Sequence, residues 1–81
     1  LALAVQTPLT AVAASPLLER VKSNPAAAQR LCGQFRQFNA QGLSATSPAA
    51  IAVVAREQNL SPIDAEVLTT YVIGMYCPEV R

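Results

Sequence analysis

A small polar residue stands directly before proline at Ser15-Pro16, Asn24-Pro25, Ser47-Pro48 and Ser61-Pro62. No other feature of the chain constrains its fold as strongly. Ser and Asn side chains accept the free N–H groups of a helix's first turn, and proline at the first helical position lacks a donor that would have no partner there. The four pairs predict four helix starts. A further match, Thr7-Pro8, lies in the apolar opening of the chain and would start a helix if that stretch belongs to the mature protein.

The residues between these signals carry helical periodicity. A short first segment, Pro16 to about Ser23, sets Leu17, Leu18 and Val21 on one side. A second, Pro25 to about Gln41, repeats apolar residues at Ala28, Leu31, Cys32, Phe35 and Phe38, with Gly42 as a left-handed terminator. A third, Pro48 to about Gln58, turns Ile51, Val54 and Ala55 inward, and Asn59 ends it. A fourth opens at "SPID", where Asp64 suits the positive end of the helix dipole. Its stripe is Val67, Leu68, Tyr71, Val72 and Met75, while Ile73 and Cys77 lie opposite. A segment apolar nearly all round is normally buried on several sides, so this helix is expected at the centre of the fold. Gly33 and Gly74 fall inside helices, where glycine costs stability, and a close approach of another helix is expected at each. The fold class is therefore all-α, a small bundle of about four short helices.

The opening "LALAVQTPLTAVAAS" has no charge and ends in small residues, like the rear of a secretory signal with a small-x-small cleavage site. Residues 1–14 read as a signal-peptide remnant or an N-terminal arm, adding little to the fold, and residues 15–81 as one helical domain. Gln6, Thr7 and Pro8 interrupt the run, which argues against a stable membrane span.

Two cysteines, Cys32 and Cys77, stand alone in a chain that has no histidine. A zinc site would need four ligands from a sparse set, a redox pair would need closer spacing, and a nucleophile would need a base. A structural disulfide or two inert thiols remain, and the export-like opening favours the disulfide. The bridge would staple the second helix to the end of the fourth, where Pro78 disfavours further helix.

Residues 1–45 carry a charge of +3 and residues 46–81 carry −2, a mild asymmetry without the dense basic stripe of a nucleic-acid binder. Asp64 and Glu66 are two apart and do not face each other on a helix, and no glycine-rich phosphate loop is present. No catalytic residue, cofactor or metal is expected. The amide-rich stripe Arg30, Gln34, Gln37 and Gln41 is the candidate interaction face, although such stripes are more often plain solvated surface.

The stretches "LCGQF" and "GLSATSPAAIAVVAREQNLSPIDAEVLTTYVIGMYCPEV" resemble a family of small secreted actinobacterial proteins of unknown function. The shared marks are the hydrophobic-Cys pair Leu31-Cys32, the helix after Pro48, "LSPIDA" from Leu60 to Ala65, and Tyr76-Cys77-Pro78. The chain departs from that family in a longer segment before Ser47. The resemblance implies an exported all-α domain with its cysteines bridged, and no activity. The expected function is a non-enzymatic exported domain that binds an envelope or extracellular protein. The alternative is a carrier of a small apolar ligand. A spacious apolar cavity would favour the carrier; a solid core with a polar face would favour the binding module.

Overall fold

The computed structural model describes residues 9–81, with side chains from residue 16 onward. Among the described residues there are four helices and no strand: α1 (Leu9–Ser23), α2 (Pro25–Ala40), α3 (Pro48–Gln58) and α4 (Pro62–Tyr76). Three of the four cap-proline pairs open helices as expected. The side chains of Asn24, Ser47 and Ser61 accept from the N–H groups of Ala27, Ala50 and Asp64 at 3.2, 3.2 and 3.1 Å. Ser15-Pro16 does not open a helix, because Pro16 lies inside α1. The segment before it is rich in alanine, the best helix former, and proline's fixed φ is itself helical. The helix therefore continues through Pro16, whose missing N–H removes one backbone bond. Thr7-Pro8 lies outside the described residues.

Both predicted left-handed stops are present. Gly42 has φ +84° and Asn59 has φ 57°. After α2, the N–H of Gly42 donates to the carbonyl of Asn39 at 3.0 Å and that of Leu43 to Phe38 at 2.8 Å. After α3, the Leu60 N–H reaches the Ala55 carbonyl at 2.8 Å. Each stop thus satisfies carbonyls that a helix end leaves without partners.

α4 packs against each of the other three helices, as its central position in the sequence reading requires. Its buried face differs from the expected stripe. Ala65, Leu68, Thr69 and Val72 are buried, Val67 and Tyr71 are half-buried, and Met75 is 45% exposed. When apolar residues lie all round a helix, periodicity cannot choose the face. Here the neighbouring helices cover the side with two small residues. The last turn of α4 is not enclosed, since Gly74 is exposed as well. Below this face the core is solid: Phe35, Val54, Val72, Cys32 and Cys77 are all fully buried. Among the described residues, the wholly buried Thr69 hydroxyl is the exception to polar satisfaction, having no hydrogen-bond partner.

A close helix approach does not explain the two helical glycines. A side-chain carbon built on Gly33 or Gly74 would meet nothing within 4 Å. Both positions are exposed, so alanine there gains helix propensity and loses no packing. Gly33→Ala and Gly74→Ala are each expected to stabilise the domain by about 0.5–1 kcal/mol. Denaturant unfolding checks this; a destabilising result at either site would mean that a side chain clashes there.

Candidate functional site: a strapped helix and a cationic groove

The predicted disulfide is present. Cys32 and Cys77 are bonded, with their Cα atoms 6.0 Å apart. The bond begins a strap in which residues 77–81 run along one side of α2. Cys77 closes a turn by accepting from the Val80 N–H at 3.0 Å, and Val80 enters the core. Glu79 accepts from the Arg36 guanidinium at 2.7 Å. The Asn39 side chain clamps the last residue from both sides, accepting from the Arg81 N–H at 2.8 Å and donating to the Arg81 carbonyl at 3.0 Å. The same carbonyl takes the Ala45 N–H at 2.7 Å, which anchors the α2–α3 connection. Cys32, Arg36 and Asn39 stand at i, i+4 and i+7, one line on a helix, and they hold alternate residues of the tail.

A groove lies on the other side of α2. It lies beside the link between α1 and α2, which is Asn24 alone. α4 packs against both of these helices and contributes Leu68 and Val72 to the groove. The groove has a volume of about 370 Å³. Val21, Ala28, Leu31, Leu68 and Val72 form its floor. Arg20, Arg30, Gln34 and Gln58 stand on its banks.

Consecutive residues at the end of α3 close the groove at one end. Glu57 accepts from the Gln34 amide on α2 at 2.9 Å, and Gln58 accepts from the Arg20 guanidinium on α1 at 2.6 Å. Arg30 has no hydrogen-bond or ion-pair partner among the described residues, and no carboxylate lines the groove.

The predicted interaction face is thus divided. Arg30 and Gln34 belong to the groove, while Gln37 and Gln41 lie exposed farther along α2. Arg20 and Gln58 come from other helices, and no spacing rule in the sequence links them to the stripe. Among the described residues, no three His, Cys, Asp or Glu side chains gather where they could hold a metal ion, and no helix is long and apolar enough to cross a membrane.

Residues 18–77 match the family described as a domain of unknown function, DUF8664. The chain belongs to this family. The DUF8664 span contains both cysteines and every residue that lines the groove. Neither the curated proteins nor the solved structures give a match.

Two predictions follow from the strap. Breaking the Cys32–Cys77 bond should lower stability by up to about 4 kcal/mol, because it frees a long loop in the unfolded chain. Denaturant unfolding with and without reductant measures this, and coincident curves would contradict it. The second concerns Glu79, whose carboxyl is held below the usual glutamate range by the hydrogen bond from Arg36 and then by its own backbone N–H. A carboxylate with a lowered folded pKa adds stability above its unfolded value and loses that contribution as the pH falls through the lowered one. The difference between the parent and Glu79→Gln should therefore be small at neutral pH, since the pair is exposed, and vanish in acid. A difference that grows in acid would contradict it.

Proposed function

We propose that this DUF8664 domain is a non-enzymatic, exported binding module that engages an envelope or extracellular protein at the groove between α1 and α2. The observation that carries this reading is the state of Arg30. A guanidinium at the edge of a shaped groove, with no partner among the described residues, is suited to an ion pair with another molecule. Export is supported by the disulfide, which persists outside reducing compartments, and by the resemblance of Leu31-Cys32, "LSPIDA" and Tyr76-Cys77-Pro78 to small secreted actinobacterial proteins. The non-enzymatic part of the reading is supported by the chemistry of the chain. It lacks histidine, and the one acid hydrogen-bonded to the groove lining among the described residues, Glu57, is engaged by the Gln34 amide.

The solid core weighs against a carrier of apolar ligands. The floor residues of the groove are each no more than 8% exposed, so a hydrocarbon guest would cover little further apolar surface.

Site-specific photo-crosslinking tests the reading. A photoreactive residue is placed at Gln34 in the groove, at Gln41 on the distal stripe, or at Glu66 on the exposed side of α4. Each oxidised variant is incubated with the envelope fraction of the source organism. Discrete protein adducts are expected from Gln34, fewer from Gln41 and none from Glu66. Adducts from no position, or equally from Glu66, would overturn the groove as a binding site.

A further inference from the structure

We infer that the occupant of the groove is an extended, acidic peptide segment of the partner, with a carboxylate side chain on Arg30 and a backbone amide held between Gln34 and Gln58. The inference rests on the binding-module reading and specifies its ligand. Charge gives the first argument. Two arginines line the groove, on opposite banks; no carboxylate is among the lining residues, and the one at its closed end, Glu57, is engaged by the Gln34 amide. Among the described residues the Arg20 guanidinium is hydrogen-bonded only to the neutral Gln58, so neither positive charge is neutralised within the lining. The planar guanidinium fork of Arg30 matches a carboxylate with two parallel hydrogen bonds.

The second argument comes from hydrogen-bond capacity. Gln34 uses an amide N–H on Glu57, which leaves its carbonyl oxygen as an acceptor. Gln58 uses its carbonyl oxygen on Arg20, which leaves its amide N–H groups as donors. One free acceptor and one free donor complement the N–H and C=O of a peptide backbone. The latch bonds at the end of α3 hold both amides in these orientations.

The third argument is the floor. Its residues are nearly sealed, so a bulky hydrocarbon tail would cover little further apolar surface. An extended chain resting across the groove does not depend on such burial. The groove is also open-sided, which suits a carboxylate carried partway along a chain. A terminal carboxylate is usually captured in a nest of free backbone N–H groups, and here the Asn24 side chain already occupies the Ala27 N–H at the start of α2.

The test follows backbone amide resonances of the oxidised ¹⁵N-labelled domain. The probes are a short alanine–glutamate peptide blocked at both ends, the same peptide with glutamine for glutamate, the glutamine peptide with a free C-terminus, and decanoate. The blocked glutamate peptide should shift the signals of Arg30, Gln34 and Gln58 and saturate. The blocked glutamine peptide should bind roughly tenfold more weakly or worse, as expected on losing a charge-assisted pair. Arg30→Gln should lose the same preference, and Arg30→Lys should keep part of it. Arg30 is exposed, and unchanged spectra elsewhere in the variant establish that it folds. Equal binding of the two blocked peptides, or no shift at millimolar peptide, overturns the inference. So does a preference for the free C-terminus or for decanoate, or shifts produced by concentrating the domain alone, which would assign the groove to a second copy. Crosslinks from Gln34 without a glutamate preference would leave the binding module standing and remove only its acidic specificity. The absence of both would remove the two together.

Discussion

The Cys32–Cys77 bond is the constraint on which the other contacts depend. A domain of this size buries too little apolar surface to tolerate loose ends. Its central helix ends at Tyr76, and without an anchor the last turn of α4 and the tail beyond it would fray. The bond fixes that end in the middle of α2. Once Cys77 is held, Val80 is brought to the core, Glu79 to Arg36 and Arg81 to Asn39. Each later contact is weak and mostly exposed. Their ordering entropy is reduced because the first residue of the strap is already in place. The α2–α3 connection depends on the same chain of contacts, since Ala45 is tied to the Arg81 carbonyl and is itself fully buried.

A second constraint, the single-residue link at Asn24, lies on the opposite side. Asn24 serves both helices: it is the whole connection from α1 and the N-cap of α2. The groove lies beside this link, and Leu68 and Val72 of α4, both buried, form part of its floor.

The helices were legible in the sequence where their ends carry specific chemistry. Asn24, Ser47 and Ser61 mark starts because an oxygen there has a defined N–H to satisfy, and Gly42 and Asn59 mark ends because few residues tolerate positive φ. Ser15-Pro16 misled because the same dipeptide is compatible with a helix that already exists. The buried face of α4 was obscure for a different reason. Its apolar residues surround the helix, so the choice among faces was made by α1, α2 and α3. Half of the interaction face was legible, since Arg30 and Gln34 share a helix side by spacing alone. Arg20 and Gln58 reach the groove only through tertiary packing, and Asn39, which holds the strap, looked like one more polar residue near a helix end.

The strap and the groove meet at α2, and their arrangement on it connects stability to the proposed binding. At about 100° per residue, Cys32, Arg36 and Asn39 fall nearly opposite Arg30 and Gln34. The core residues Ala28, Leu31 and Phe35 lie between the two lines. α2 is therefore gripped along one flank by covalent and polar contacts and along the next by packing, which leaves a single flank free. A helix held in this way cannot roll about its axis without breaking the strap or exposing Phe35. The Arg30 guanidinium and the Gln34 amide are consequently presented from a fixed backbone, and a partner of the kind proposed would not have to supply the free energy of ordering that helix. The cross-link sits just behind the groove floor, with Cys77 Sγ 3.9 Å from the Val72 carbonyl and Cys32 next to Leu31, and it would act on the proposed site by immobilising the helix that carries it.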